Sequence, residues 1–208
     1  MNPSDKPGLF WDQKFSTPEY LYGREPNEFI AASLKEYLQP GDALLSVGDG
    51  EGRNGVYGAL EGFKTTSIEP SAVGCKKIRE LAKEKGVEIE VIQDQMPSSQ
   101  IEPESFKAII LTFIHAPPET RRLIHQSCID ALQPGGYLFL EGFRPEQRIL
   151  NRKSGGPGDL TMLFTTEILE ADFGTLEILH LEELTRPLNE GPGHQGAAEV
   201  IQLIARKK

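Results

Sequence analysis

Few residues of this 208-residue chain suit disulfide, redox or metal chemistry. It contains two cysteines, four histidines and one tryptophan. Cys75 and Cys128 fall within predicted helices and belong to no Cys-x-x-Cys pair, so we expect two buried thiols, as in a reducing cytoplasm. No spacing of His, Cys and Asp suggests a metal site. The sequence therefore excludes a disulfide framework and predicts no bound metal.

Basic residues and long apolar runs are also scarce. Lys and Arg number 22 against 31 Asp and Glu, which gives a formal net charge of −9. Such a surface repels a phosphate backbone, so we expect no nucleic-acid partner. No run approaches the ~18 apolar residues of a membrane span, and residues 1–5 begin no signal peptide. We therefore expect a cytoplasmic protein without a membrane partner.

The most informative stretch is residues 44–54, Leu-Leu-Ser-Val-Gly-Asp-Gly-Glu-Gly-Arg-Asn. A short, mostly apolar predicted strand is followed by spaced glycines and a predicted helix. Such a turn leaves backbone N–H groups beside the positive end of the helix dipole, which favours an anionic ligand. Glu69 follows about 20 residues later at the end of the next strand, where a carboxylate is placed to accept both ribose hydroxyls. Together these features predict an adenosine-containing cofactor.

Strands and helices alternate along most of the chain. Hydrophobic periodicity predicts helices over residues 26–38, 53–62, 71–85, 117–132 and about 166–171. Strands are predicted over residues 44–47, 65–69, 88–92, 106–113, 137–141, 176–186 and 197–206. The alternation predicts a parallel sheet with helices on both faces. The last two strands are joined by a loop without a helix, so we expect them to pair as antiparallel neighbours.

Ligands of such sheets bind outside the carboxyl ends of the strands. We therefore expect one edge to carry residues 46–52, Glu69, residues 94–96, His115 and residues 141–143. At the N-terminus, residues 1–9 are expected to be disordered. The aromatic segment that follows either packs onto the core or closes over the ligand, and we assign residues 10–40, an arm and a helix, to a cover.

A nicotinamide-dependent oxidoreductase is one alternative, because residues 50–55 fit Gly-x-Gly-x-x-Gly. The preceding strand ends at Val47, however, so the turn begins at Gly48, before that motif. Only one mononucleotide-binding half would remain for a dinucleotide. The chain also lacks a Lys-Tyr pair or zinc ligands for hydride chemistry and a Gly-Lys-Ser/Thr phosphate loop. The dehydrogenase interpretation is therefore less favoured.

Three motifs resemble class I S-adenosylmethionine-dependent methyltransferases: residues 47–52, Glu69, and the Leu-Gln-Pro-Gly-Gly-Tyr of residues 132–137 before a strand. Further motifs resemble the TehB-like branch, which includes tellurite-resistance and thiopurine-type enzymes; they are residues 11–12, 22–27, 50–54, 141–143, 155–157, 189–191 and 194–196. The resemblance implies an α/β, Rossmann-like doubly wound fold. Its seven-stranded, mostly parallel sheet would end in an antiparallel C-terminal hairpin, within a single domain over residues 10–208.

The resemblance also implies methyl transfer from S-adenosyl-L-methionine, with S-adenosyl-L-homocysteine as product. The acceptor would be a small molecule, such as a thiol or a soft oxyanion like tellurite. The expected cofactor contacts are Tyr22, Arg24, Ser46, Gly48, Asp49, Gly50, Gly52, Arg53, Asn54, Glu69, Pro70, Asp94, Gln95 and Met96. Among these, the glycine backbone faces the methionine portion, Glu69 binds the ribose, residues 94–96 surround the adenine, and Tyr22 and Arg24 cover the amino-acid end. Ser46 stands where the family usually has an acid.

Methyl transfer is an in-line displacement that depends chiefly on alignment of donor and acceptor. A base is needed only when the acceptor is not already a thiolate or an oxyanion, and a neutral histidine suits that role. His115, His194 and Arg144 are the candidate catalytic residues. We expect a monomer or a homodimer. A non-catalytic protein that binds an adenosyl cofactor remains a further alternative.

Overall fold

The computed structural model describes residues 7–208, which form seven helices, seven strands and a short 3-10 turn. The helices are α1 (Pro7–Phe15), α2 (Glu28–Tyr37), α3 (Arg53–Leu60), α4 (Ala72–Lys85), α5 (Pro118–Ala131), α6 (Glu146–Ile149) and α7 (Thr166–Phe173). The strands are β1 (Ala43–Val47), β2 (Lys64–Ile68), β3 (Glu90–Ile92), β4 (Phe106–Thr112), β5 (Leu132–Phe143), β6 (Glu177–Glu190) and β7 (His194–Arg206). The 3-10 turn spans Leu160–Met162.

All seven strands belong to one sheet in the order β3-β2-β1-β4-β5-β7-β6. Strands β1 to β5 pair in parallel, and β7 is antiparallel to both β5 and β6. The chain leaves β1 towards one side of the sheet and β4 lies on the other side. The carboxyl ends of β1 and β4 therefore flank the point where ligands bind in doubly wound sheets. The fold class predicted from the sequence is confirmed.

Both faces of the sheet are covered by helices. Leu45 and its neighbours on one face pack against α5 and α7. On the other face, Ile30 and Leu34 of α2 pack against Leu44 and Phe139, and both are fully buried. Helix α2 is thus part of the core, so within the expected cover of residues 10–40 only the segment before α2 lies over the ligand-binding edge.

Two segments differ from the sequence prediction. Residues 7–9, expected to be disordered, begin α1, while residues 1–6 lie outside the described part of the chain. The hairpin loop predicted over residues 188–196 is mostly strand, because Leu188 pairs with Gly196 and Glu190 with His194. Glycine and proline favoured a loop there, but pairing along two long strands decides the structure. Among residues 7–208, no helix combines the length and apolar character needed to cross a membrane.

Candidate active site

The turn after β1 depends on glycines in the left-handed region of backbone conformation. Gly48, Gly50 and Gly52 have φ angles of +59°, +62° and +97°, which non-glycine residues adopt only with strain. A Cβ on Gly52 would also lie 3.0 Å from the Cα of Ile78 in α4. This glycine loop therefore brings the backbone of residues 48–52 close to α4 and to the end of β2.

Glu69 joins the glycine loop to the start of α4. Its Oε2 accepts a hydrogen bond from the Gly50 N–H and its Oε1 accepts one from the Ser71 N–H, both at 2.8 Å. Burial raises the pKa of the Glu69 carboxyl to about 7, although both hydrogen bonds oppose the shift. The expected ribose-binding carboxylate and the glycine loop thus lie in direct contact at one edge of the sheet.

Asp49 supplies a buried carboxylate beside Ser46, at the corner between β1 and the glycine loop. Its Oδ1 accepts hydrogen bonds from the Ser46 hydroxyl at 2.7 Å and the Gly55 N–H at 3.1 Å, and its Oδ2 accepts one from the Ser67 hydroxyl at 2.6 Å. Burial raises the pKa of Asp49, and these hydrogen bonds oppose that rise. Asp49 therefore points beneath the glycine loop and ties β1, β2 and α3 together.

Helix α1 covers the glycine loop from the solvent side. Phe15 is 2% exposed, and a Cβ on Gly50 would lie 3.4 Å from its ring. Asp12 accepts hydrogen bonds from the Ser71 hydroxyl at 2.6 Å and the Val73 N–H at 3.1 Å, at the N-terminus of α4. A cofactor can therefore reach Glu69, which is 3% exposed, only when α1 moves.

The segment after α1 is fixed to the glycine loop by a buried ion pair. Lys77 Nζ donates to Glu51 Oε1 at 2.6 Å and to the carbonyl oxygens of Thr17 and Glu19 at 2.7 and 2.8 Å. Glu51 Oε2 accepts from the Leu21 N–H at 2.6 Å. All three ammonium protons of Lys77 have acceptors. We call residues 7–23 the N-terminal arm; it contacts both the glycine loop and α4.

Four rings form an aromatic cluster beyond the end of β4: Tyr22, Phe113, Phe143 and His194. The His194 ring lies 4.4 Å from Tyr22, 4.5 Å from Phe113 and 5.4 Å from Phe143, measured between centroids. Tyr22 also contacts Phe15 at 6.5 Å, so the rings continue from the glycine loop to the tip of the β6–β7 hairpin. Burial raises the pKa of Tyr22 to about 12.

Charged side chains lie buried beside this cluster. Glu141 accepts hydrogen bonds from Arg186 at 2.7 Å, from Gln202 at 2.9 Å and from Asn27. Glu190 accepts from Asn27 at 3.0 Å and from Arg186 at 2.8 Å. The same network therefore joins the start of α2, the end of β5 and the hairpin.

Arg53, an expected cofactor contact, belongs to this network instead of facing the glycine loop. Its Nη1 lies 2.7 Å from Glu190 Oε2. Burial alone would raise the pKa of Glu190, but His194 and the two arginines lower it to about 2. The neighbouring Asn54 accepts a hydrogen bond from the Asn27 N–H at 2.9 Å. Both residues after the glycine loop thus hold the start of α2 and the hairpin.

Several other expected cofactor contacts are engaged elsewhere. Arg24 pairs with Glu84 on the exposed side of α4. Asp94 accepts a hydrogen bond from the Gln95 N–H at 2.8 Å within its own turn, and Gln95 is exposed. Met96 is buried in the core. The turn after β3 thus lies at the expected edge without directing these side chains over it. Pro70 packs against Gly8 of α1.

His115, a candidate catalytic residue, has both ring nitrogens bound to the backbone. Nδ1 lies 2.9 Å from the Met162 carbonyl oxygen and therefore carries the proton. Nε2 accepts from the Phe143 N–H at 3.1 Å. Burial lowers the pKa of His115 to about 4. Both ring nitrogens are therefore engaged by backbone groups, and the catalytic role of His115 stays a prediction that requires at least one of these hydrogen bonds to open.

Arg144, the third candidate, is held in an ion-pair network on the hairpin. It contacts Glu199 at 2.8 Å and Glu183 at 3.0 Å, so its charge is matched by two carboxylates of the β6–β7 hairpin. Cys75 and Cys128 are free and buried, as expected. In the described residues, no three or more His, Cys, Asp and Glu side chains form a group able to hold a metal ion.

Comparison with known proteins assigns the class of enzyme. Residues 44–136 match the protein family described as a methyltransferase domain. The match covers less than half of the chain; it supports a methyltransferase enzyme and implies S-adenosyl-L-methionine as the cofactor. No curated protein matches the sequence significantly.

Solved structures share the fold at low sequence identity. A SAM-dependent methyltransferase from Methanosarcina mazei has a TM-score of 0.71 and 18% identity over 88% of this chain and 98% of its own. TehB from Haemophilus influenzae has a TM-score of 0.70 and 19% identity over 97% of this chain and 67% of its own. The [4+2]-cyclase SpnF has a TM-score of 0.73 and 17% identity over 98% and 96%. A shared fold therefore does not fix the reaction.

The residues of the glycine loop fit the cofactor of this class once the arm is displaced. Gly50 has no Cβ on the side of the loop that Phe15 covers, so the backbone there is open to a ligand when Phe15 moves away. Sequence reasoning assigned no individual role to Glu141, Glu190 or Asp12. A carboxylate inside the apolar run of β5 was the signal for Glu141, since such a residue is seldom buried without a partner.

Proposed function

We propose that this chain transfers a methyl group from S-adenosyl-L-methionine to a small-molecule acceptor. The observation that carries the proposal is the 2.8 Å hydrogen bond between the Gly50 N–H and Glu69. It supports the proposal because it joins the glycine loop to Glu69 at the carboxyl edge of a doubly wound sheet, beside the ends of β1 and β2, where the loop would bind the cofactor and Glu69 its ribose. The family match over residues 44–136 includes both features.

The residues on this edge would hold the cofactor in distinct ways. The backbone of Gly48 and Gly50 would face its methionine portion, and Glu69 would accept the ribose hydroxyls on the lone pairs that its two backbone hydrogen bonds leave free. When bound, the cofactor supplies an electrophilic methyl group on a sulfonium sulfur. Asp49 positions the glycine loop from beneath without touching the ligand.

The N-terminal arm would act as the cover of this site. Phe15 and Asp12 occupy the glycine loop and the α4 N-terminus, so the arm must open to admit the cofactor and can close over it afterwards. Trp11 is the sole tryptophan of the chain, and its ring stacks on Phe15 at 5.3 Å. Its fluorescence therefore reports directly on the arm.

The TehB-like motifs favour a thiol or a soft oxyanion such as tellurite as acceptor. These motifs include the arm residues Trp11 and Asp12 and the hairpin residues Glu190 and His194, which the fold brings to one edge. The structural likeness to TehB supports this branch at the level of fold. The packed arm also favours a second candidate, a protein that binds the cofactor without catalysis.

Calorimetry with S-adenosylmethionine, S-adenosylhomocysteine and NADH tests the proposal. We expect both adenosyl compounds to bind and to change Trp11 fluorescence. The Glu69→Ala substitution should weaken binding by about 1–3 kcal/mol, because it removes charge-assisted hydrogen bonds. Glu80→Ala, on the exposed face of α4, is the matched control and should leave the affinity unchanged.

Two other outcomes would redirect the assignment. Binding of NADH alone would favour the oxidoreductase. Tight binding of the methyl donor without transfer of labelled methyl to thiols or tellurite would favour the non-catalytic candidate.

A further inference from the structure

Three buried polar atoms without hydrogen bonds meet beside the aromatic cluster. Arg53 Nη1, Glu190 Oε2 and His194 Nδ1 have no hydrogen-bond partner within residues 7–208. Glu190 Oε2 lies 2.7 Å from Arg53 Nη1, in a geometry that makes an ion pair but no hydrogen bond, and 3.7 Å from His194 Nδ1. Buried polar atoms rarely lack a hydrogen-bond partner in native proteins, and each exception needs an explanation.

We propose that Glu190 orients His194 as the proton acceptor for methyl transfer, so that the substrate is a protonated thiol or hydroxyl on a small apolar body and not an oxyanion. The inference rests on the proposed function of this site. It makes His194 the catalytic residue and Glu190 its positioning residue.

The two nitrogens of His194 face different surroundings. Nδ1 points to the Glu190 carboxylate, which favours a proton on Nδ1. Nε2 faces Gly155, where an added Cβ would lie only 3.0 Å away. Glycine at this position avoids a clash with the ring, and the lone pair of Nε2 is free in the Nδ1–H tautomer. Burial lowers the pKa of His194 although Glu190 opposes the shift, so the ring is neutral and able to accept a proton near pH 7.

The surroundings of His194 suit an acceptor molecule that is apolar apart from one S–H or O–H group. Rings of Tyr22, Phe113 and Phe143 surround it. Phe113 has a φ of +56°, a conformation that non-glycine residues adopt where surrounding structure imposes it, often at functional sites.

Among the residues that the structure describes, the charges near His194 leave no free cation for an oxyanion. The charged groups that act on it are Arg53 from α3, Glu141 from β5 and Glu190 from β6, and the His115 imidazole beyond β4 is also close enough to couple to it. Arg53 pairs with Glu190, and Arg186 pairs with Glu141 and Glu190. An anion such as tellurite would therefore meet paired cations and a nearby carboxylate, which disfavours its burial there.

The resulting reaction conserves atoms and charge. The X–H bond of the acceptor, where X is sulfur or oxygen, breaks, and its proton passes to Nε2 of His194. A lone pair of X forms the new bond to the methyl carbon, and the pair of the broken carbon–sulfur bond stays on the donor's sulfur. His194 then returns the proton to solvent when the arm opens.

Nitrogen-15 NMR of the imidazoles tests the role of Glu190 without requiring turnover. With only four histidines in the chain, single His→Asn variants assign each signal. We expect wild-type His194 to carry its proton on Nδ1, and Glu190→Gln to reduce that preference and lower the His194 pKa further. The control is Glu182→Gln, because Glu182 also lies 3.7 Å from a histidine, His180, but in an exposed pair; it should leave His194 unchanged.

Kinetics test the substrate class. Benzyl mercaptan, which is protonated at pH 7, and thiophenol, which is largely ionised, are the probes, with tellurite as the oxyanion. His194→Asn should slow methylation of benzyl mercaptan by about 10²-fold or more and that of thiophenol far less.

An Nε2–H tautomer in wild-type His194, equal losses with both thiols, or tellurite as the preferred acceptor would each overturn the inference. The tautomer of the wild type is decisive even if a variant fails to fold. Absence of cofactor binding by calorimetry would instead count against the proposed function, so the two failures are distinguishable.

Discussion

On one side of the ligand-binding edge, the cofactor would meet backbone groups and carboxylates from a single strand–helix–strand unit, residues 46–71. On the other side, the acceptor would meet side chains from α3, β4, β5, the β6–β7 hairpin and the N-terminal arm. We call these the cofactor side and the acceptor side. The first depends on glycine conformations at Gly48 and Gly50. The second depends on buried ion pairs and packed rings.

This difference makes the two sides sensitive to different changes. The cofactor side is built from local backbone geometry, so it can be damaged by an added Cβ or by a change in a single carboxylate. The acceptor side is held by contacts between residues far apart in sequence, such as Asn27 with Glu141 and Glu190. Loss of one charge there leaves others buried without a partner, which destabilises the whole domain.

The largest effect is expected on the acceptor side. Arg186→Met removes the partner of two buried carboxylates, Glu141 and Glu190, and should lower the free energy of unfolding by about 3–5 kcal/mol. Urea denaturation measures this change. Lys76→Met breaks an exposed pair with Glu80 and serves as control, with an expected loss below about 0.5 kcal/mol. Similar losses in both variants would contradict the contrast between buried and exposed pairs.

On the cofactor side, Glu69→Gln should change how stability depends on pH. The folded-state pKa of Glu69 is raised to about 7 from 4.5, so the folded protein keeps a proton that the unfolded chain releases. The stability this group contributes is fully present below pH 4.5 and is lost as pH rises to 7. Relative to the variant, the wild type should therefore lose about 3 kcal/mol across this window.

Urea denaturation of the wild type and of Glu69→Gln at several pH values between 4.5 and 8 gives the difference between their free energies of unfolding. The pKa of His115 is lowered to about 4, so its titration makes both proteins more stable as pH rises. This contribution is the same in both proteins and cancels when their free energies of unfolding are subtracted. Parallel stability curves would show that Glu69 titrates normally in the folded protein.

A smaller effect is expected for Gly55→Ala at the start of α3. Helix propensity alone favours alanine by about 1 kcal/mol. An added Cβ would, however, overlap the carboxylate of Asp49 and the hydroxyl of Ser67, which should destabilise the protein by about 1–3 kcal/mol. Thermal unfolding compares it with Gly158→Ala, where the Cβ meets no atom within 4 Å. A stabilised Gly55→Ala variant would show that the corner beneath the glycine loop is loosely packed.

The sequence was most informative where a contact joins residues of one local unit. The glycine spacing and the position of Glu69 placed both on one edge, and the structure joins them by a hydrogen bond. It was less informative where a side chain had several orientations open to it. Asp49 and Ser46 were both expected to contact the cofactor, yet they bond to each other under the loop. His115 lies at the expected edge, but the backbone of Met162 and Phe143 engages both its nitrogens.

By itself, the sequence determined the strand–helix alternation, the parallel sheet with its antiparallel hairpin, and the glycine turn followed by Glu69, because periodicity and backbone freedom act over a few neighbouring residues. Only the tertiary structure decided that α1 lies over the glycine loop and that Glu190 and His194 meet Arg53 and the aromatic rings. These contacts depend on which distant side chains exclude water together, and no local pattern encodes that choice.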